Sequence, residues 1–228
     1  MAIRRPMFNI LKINFMGIIK QGILGGFSGK VGNVVGASWK GIDYIRSLPS
    51  SVRNPRTPKQ VKQRTKFSLV QGFLTSMTPF IRIGFRNYTN QQSAMNAALS
   101  YNVTRGIKGE GENIELDYPN LQVSRGKLFS TTVALASVNG DNITVEWETI
   151  IANDAREKDE VYVVLFNKSK GVAIYNSERV YRMAGETRFA IPALWDGDTV
   201  ECYVAFSALE GKEMSNSKYA GSIEIPTA

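Results

Sequence analysis

The sequence predicts an α+β fold, and three observations carry that prediction. Glycines interleaved with Ile, Leu, Val, Phe and Trp39 fill residues 17–48, a spacing that fits no helix and suits short strands. Residues 58–101 then place apolar side chains at helical intervals behind two Thr-Pro pairs. Beyond residue 112 the apolar period falls to two, with turn signals between the runs. Charge changes sign at the same place. Met1 to Gly109 holds 17 Lys and Arg against one acid, Asp43, a net of +16, whereas Glu110 to Ala228 holds 11 against 19, a net of −8. The expected organisation is an extension over 1–16, a basic Gly-rich and helical region over 17–109, and a β-sandwich domain over 110–228. Gly106–Glu112 is the boundary, with three glycines.

Taken in order, Met1–Phe15 begins like the front of a signal peptide, with Arg4 and Arg5 before apolar residues. Pro6, Asn9, Lys12 and Asn14 interrupt the run, and no cleavage pattern follows. Ile18–Val35 contains Lys20, Gln21 and Lys30, which rules it out as a bilayer span. A non-secreted chain without a membrane span is expected, cytoplasmic or virion-associated by default, and Met16 offers a second start. Gly32-Asn33 between Lys30-Val31 and Val34-Val35 predicts a tight hairpin, and Ile42–Ser47 a short strand. A segment so interrupted by glycine cannot form its own core. It is expected to lie on the rest of the chain or on a neighbouring copy.

Thr57 as N-cap and Pro58 at the first helical position predict a helix running to about Met77. Phe67, Leu69, Val70, Phe73, Leu74 and Met77 fill one arc of it, a core-facing stripe. Lys59, Lys62 and Lys66 fall on the same side nearer the amino end, where exposed cations oppose the helix dipole at about 0.3–1 kcal/mol each. Thr78-Pro79 predicts a second, short helix with Phe80, Ile81, Ile83 and Phe85. Met95, Ala98 and Tyr101 suggest a third around Gln91–Tyr101.

Strands are then expected at Leu121–Val123, Ile143–Thr149, Glu160–Phe166, Val172–Tyr175, Thr187–Ile191, Thr199–Ser207 and Lys218–Ile225. Asn139-Gly140, Asp196-Gly197 and Gly211 supply turns. Many short strands at regular spacing predict an immunoglobulin- or fibronectin-III-like sandwich. Val161–Phe166 is apolar on both faces and should be central. These strands are expected to close a core unaided, so that residues 118–228 would fold alone.

The composition excludes most familiar catalysis. The chain has no histidine, which removes Ser-His-Asp and Cys-His nucleophiles and His-ligated zinc. Its single thiol, Cys202, alternates with Val200, Val204 and Phe206 and reads as core filler. Gly25–Lys30 fails as a phosphate loop, because Leu24 stands where the first glycine belongs and Val31 follows the lysine. Glu146 and Glu148 read as the wet face opposite Val145 and Trp147. Asp196 and Asp198 sit in a turn without the other calcium-loop ligands. No cofactor, metal or enzymatic activity is expected.

The candidate binding residues are Trp39, Lys40, Tyr44, Arg53, Arg56, Lys59, Lys62, Arg64 and Lys66. A charge run is ordinarily a solvated face, but a merely soluble surface mixes signs, and 109 residues with one acid do not. The expected function is a structural or interaction protein docking these residues on a protein partner or on another copy of itself. The alternative is a nucleic-acid binder, with cations on phosphates and aromatics on bases. Trp39 is expected to pack near Phe73 and Leu74 or against another copy.

The string Gly22–Gly36, then Ser38–Arg46, Asn54-Pro55-Arg56-Thr57-Pro58, Gln63-Arg64 and Phe67 form one recognisable pattern with Val123-Ser124-Arg125-Gly126 and Ser215-Asn216-Ser217, Tyr219 and Gly221. This pattern resembles an uncharacterised domain-of-unknown-function family common in Bacteroidota. The resemblance covers the chain from Met16 onward, with Met1–Phe15 departing from it, and it implies no established activity. Similar Gly-Lys-Val-Gly and Asn-Pro-Arg-Thr strings occur in phage-like proteins, which points to an assembly component.

Overall fold

The computed structural model describes residues 18–19, 26–39, 42–49, 51, 56–109, 113–176 and 178–227. By its internal contacts the chain forms two compact units, Met1–Pro55 and Arg56–Ala228. The first holds one antiparallel sheet of β1 (Ile18–Ile19), β2 (Phe27–Val31), β3 (Val34–Trp39) and β4 (Ile42–Ser47), paired in that order. The β2–β3 hairpin forms at Gly32-Asn33 as expected, with Val31 opposite Val34. Gly32 has φ +56°, a value that two-residue hairpins need at the first central position and that a side chain resists. Strand β4 is an edge, and all six of its residues are exposed.

The second unit opens with α1 (Pro58–Thr75), and the reason is written in its first four residues. The Gln60 N–H donates to Thr57 Oγ1 at 3.4 Å and the Thr57 N–H donates to Gln60 Oε1 at 3.2 Å, a reciprocal capping box. Helix α2 (Thr78–Gly84) has Pro79 in its first turn, but its N-cap is Met77. The Thr78 hydroxyl instead donates to the Thr75 carbonyl at 2.9 Å, tying the two helices together. Helix α3 (Ala94–Arg105) begins later than expected because Ser93 is the cap, accepting from the Asn96 N–H at 3.1 Å. Gln91, at φ +58°, lies outside helical backbone.

A two-residue ladder of β5 (Ile107–Lys108) and β6 (Glu115–Leu116) follows. Then come β7 (Ala134–Asn139), β8 (Asn142–Trp147), β9 (Glu160–Asn167), β10 (Val172–Tyr175), β11 (Val180–Tyr181), β12 (Glu186–Ala190), β13 (Thr199–Ser207) and β14 (Lys218–Glu224). They form two antiparallel sheets. One runs β10-β9-β13-β14 with β11 also on β9, and the other runs β12-β8-β7. Strand β7 was not anticipated, since Ala134–Asn139 has little apolar alternation. Leu121–Val123, expected as a strand, is not one. The buried Asn102 side chain holds it instead, accepting from the Gln122 N–H at 2.8 Å and donating to the Gln122 carbonyl at 2.9 Å.

Strands β9 and β13 are buried along nearly their whole length. Val161, Val163 and Leu165 on β9 and Val200, Cys202, Val204 and Phe206 on β13 share one core with Ile143, Val145 and Trp147 of β8. Their opposite faces, with Val164, Phe166, Tyr203 and Ala205, share a second core with Val70, Phe73 and Leu74 of α1, Phe80 and Ile81 of α2, and Ala97 and Ala98 of α3. Phe73 is the hub of this second core, edge-on to Phe166 at 4.9 Å between ring centroids and to Tyr203 at 6.0 Å. The expected division at Gly106–Glu112 therefore runs through a shared core, and the chain divides at Pro55 instead. The expectation that 118–228 would fold alone rested on strands closing one core between them. Their second face is covered by the helices.

Two of the strings that carry the family resemblance meet in this unit. The Ser124 hydroxyl donates to the Ser215 carbonyl, the Val123 N–H to Ser217 Oγ at 3.0 Å, and the Leu128 N–H to the Met214 carbonyl at 3.1 Å. Gly126 sits in the middle of the seam, where a Cβ would stand 1.7 Å from the Met214 carbonyl oxygen. Arg125 is stacked between Tyr88 and Tyr101, at 4.3 and 4.1 Å from their ring centroids. The seam thus binds the helical layer to the end of β13.

Two stability measurements follow. A fragment 56–228 is expected to melt cooperatively, whereas 118–228, with Val164, Phe166 and Tyr203 uncovered, is expected to aggregate. A soluble, cooperatively melting 118–228 would show that the helices are dispensable. Phe73→Ala should cost about 3–5 kcal/mol in denaturant unfolding.

Candidate functional site

The predicted binding residues fall into two groups. Trp39 and Tyr44 belong to the first unit, on neighbouring strands where Trp39 pairs with Ile42 and Ala37 with Tyr44. The Tyr44 side chain is 43% exposed on edge strand β4, beside Ile42 at 67% and Ile45 at 63%. Ile42 and Tyr44 share one face of the strand and Ile45 lies on the other. The side chain of Trp39, with Lys40 and Arg53, lies outside the described residues, and so does its expected contact with Phe73.

Arg56 precedes α1 in the second unit, and Lys59, Lys62, Arg64 and Lys66 lie in its first half. Arg56, Lys59 and Arg64 are exposed, and Lys62 and Lys66 are half-buried. No acid stands in the first turn to offset them against the helix dipole. The apolar stripe beneath them holds for Val70, Phe73, Leu74 and Met77, while Leu69 is half-buried. Phe67, expected in the core, is 43% exposed. It lines two shallow cavities, of about 490 Å³ with Gln60, Gln63 and Arg64, and of about 450 Å³ with Leu99 and Val103 of α3. The core cluster begins at Val70, so α1 runs past it and leaves its first three turns, with Val61 exposed as well, outside.

Nothing in the sequence pointed to a groove of about 660 Å³ between residues 151–159 and 208–213. Leu128, Ile151, Ala155 and Leu209 give it apolar walls, and Ile151 and Leu209 are exposed. Asp159 lines it and is only 1% exposed. Its Oδ2 accepts from the Arg156 N–H at 2.9 Å and from Arg182 Nε at 3.2 Å. Arg182 is completely buried, donates to the Ser130 and Phe129 carbonyls at 2.7 Å each, and stacks at 3.9 Å over Phe206. Burial pulls its guanidinium below the ordinary value, and Asp159 works in the opposite direction. Nothing in the spacing around Arg182 distinguishes it from a surface arginine.

The other candidates are structural. Cys202 is buried, and burial with neighbouring Glu201 pushes its thiol up. Glu146 is exposed between buried Val145 and Trp147, as a wet face should be. Asp198, suspected only of turn duty, pairs with the Lys170 ammonium and accepts from Asn167 Nδ2 at 2.8 Å. Among the described residues no three Asp, Glu or Cys side chains cluster as metal ligands, and no helix is long and apolar enough to cross a membrane.

Across residues 26–221 the sequence matches the pattern of a family described as "Family of unknown function (DUF6266)". The chain belongs to this family. No curated protein matches it. Among solved structures, the DUF6266 chain is similar to the fibronectin type III domain of human contactin 1, at 12% identity and a TM-score of 0.31, over 46% of this chain and 83% of that one.

The Asp198 pair generates a pH prediction. The Lys170 and Asn167 hydrogen bonds hold its carboxyl below the usual range in the folded chain only, so the unfolded chain takes up a proton first as pH falls. The stabilisation is complete above the ordinary aspartate value of about 3.9 and is lost below it. Lys170→Met should therefore melt below wild type at neutral pH, with the gap closing as pH drops through that value. A gap independent of pH would assign the effect to packing alone.

Proposed function

We propose that this protein is a non-enzymatic assembly component that self-associates, with a basic helix end and an apolar edge strand as its docking elements. The observation that carries the reading is β4. A strand with Ile42, Tyr44 and Ile45 in water, and with no strand on its outer side among the described residues, offers backbone groups and apolar side chains together, and monomeric proteins ordinarily blunt such edges. The exposed Val61 and Phe67 on α1 and the charge division of the chain support the same reading. The phage-like strings noted above point toward a repeating structure. Within the second unit, we read the two facing sheets as a sandwich of immunoglobulin or fibronectin-III type, supported by their antiparallel order and shared core.

Ile45→Lys is expected to lower the association seen by light scattering while leaving the melting temperature in place. An unchanged particle mass would remove β4 from the interface. Trp39→Ala separates core from interface: a loss of about 3–5 kcal/mol marks a core indole, whereas dissociation at unchanged stability marks an interface anchor.

The cations of α1 favour one second reading, nucleic-acid binding. If about six engage phosphates, the logarithm of affinity for duplex DNA should fall against log salt with a slope of roughly −5. Replacing Lys59, Lys62 and Arg64 by Ala should flatten it by up to about three units. Absence of binding at low salt would eliminate this reading.

A further inference from the structure

We propose that the groove between residues 151–159 and 208–213 receives the basic amino-terminal end of α1 from a second copy of this chain, in a head-to-tail contact. The proposal rests on the self-association reading above and names the two faces that would meet. The first observation is an unmet demand buried in the wall of the groove. Asp159 commits Oδ2 to Arg156 and Arg182, while its buried Oδ1 has no partner among the described residues. A buried carboxylate oxygen without a donor is costly, and what satisfies it is an N–H, best a cationic one.

The second observation is the character of the walls. Asp154, Glu157, Asp159, Glu210 and Glu213 stand around the groove against Arg156, Lys158 and Lys212, and with Arg182 paired to Asp159 and Lys212 to Glu210 the net is −1; Ile151 and Leu209 leave large aliphatic surfaces in water beside them. A ligand with cationic heads on apolar stems meets both conditions, which describes lysine and arginine side chains. The third observation is where this chain carries such a surface. Arg56 precedes α1, and Lys59, Lys62 and Lys66 occupy its first turns without an acid, with Val61 and Phe67 exposed among them. Helix end and groove are thus complementary in charge and both carry unburied apolar side chains.

The two faces are different patches of one molecule. Their contact is heterologous, so successive copies add in one direction and form a ring or an open filament.

The test uses the full-length chain in sedimentation velocity at low and high salt. Glu157→Lys with Glu210→Lys in the groove, and Lys59→Glu with Lys62→Glu on the helix, are each expected to weaken association at low salt about tenfold or more. A chain carrying all four reversals should recover it. Carboxylate-to-amine cross-linking in a mixture of isotopically light and heavy chains should join Lys59 or Lys62 to Glu157 or Glu210 in mixed pairs. All four residues are at least partly exposed, and unchanged melting of each variant verifies the fold. Association untouched by the groove reversals overturns the proposal and leaves self-association standing. Loss without recovery in the fourfold variant assigns the two faces to different contacts and also overturns it. Cross-links confined to one isotope would place the helix on its own chain's groove, again overturning a second-copy contact. A chain monomeric at every concentration at low salt overturns the self-association reading itself.

Discussion

Neighbouring strands that carry apolar side chains on both faces must be covered twice, and β9 and β13 impose that demand here. One face is met by β8 and its neighbours, the other by three helices drawn from earlier in the chain. Fully burying each Val, Leu or Phe on those faces is worth about 1.5–3 kcal/mol, so neither cover is optional. The layer order of helices, five-stranded sheet and three-stranded sheet follows from this. So does the location of the exposed surfaces, because a helix recruited as a lid need be apolar only where it meets the sheet. The part of α1 beyond the lid is where the cations and Phe67 are found.

The seam between 123–128 and 214–217 performs the joining that such a lid requires. Serine side chains stand in for strand partners, and Gly126 lets two backbones come closer than any side chain would permit. The Val-Ser-Arg-Gly and Ser-Asn-Ser strings are thereby given a mechanical role, with Arg125 wedged between Tyr88 and Tyr101. Family resemblance in this chain therefore points in part to architecture rather than to chemistry.

What could be read from the sequence was what local rules determine. Thr57-Pro58 placed the start of α1, and Val172–Tyr175 and Thr199–Ser207 matched their strands because alternation and flanking turns agreed there. Strand β7 escaped notice because Ala134, Leu135, Ala136 and Ser137 carry no clear period, and its place is set by pairing with β8. Leu121–Val123 looked like a strand but found its hydrogen bonds in the side chain of Asn102, a partner that no period reveals. Phe67 was assigned to the core on its helical angle alone, which says nothing of how far along the helix the core extends. Arg182 and the groove beside it depend on loops far apart in sequence, and only the closed fold brings them together. The cations were legible as a cluster, and their concentration at one helix end was legible from spacing.

The solitary thiol has a practical consequence. Cys202 lies at the centre of β13 with no accessible surface, facing the core between the sheets. Any alkylating reagent must wait for the sheet to part before it can react. With one sulfhydryl in the whole chain, the labelling rate is a single clock for opening of the central sheet, undisturbed by competing sites. Local fraying at the chain ends leaves that clock still, so it separates loosening of the periphery from opening of the interior.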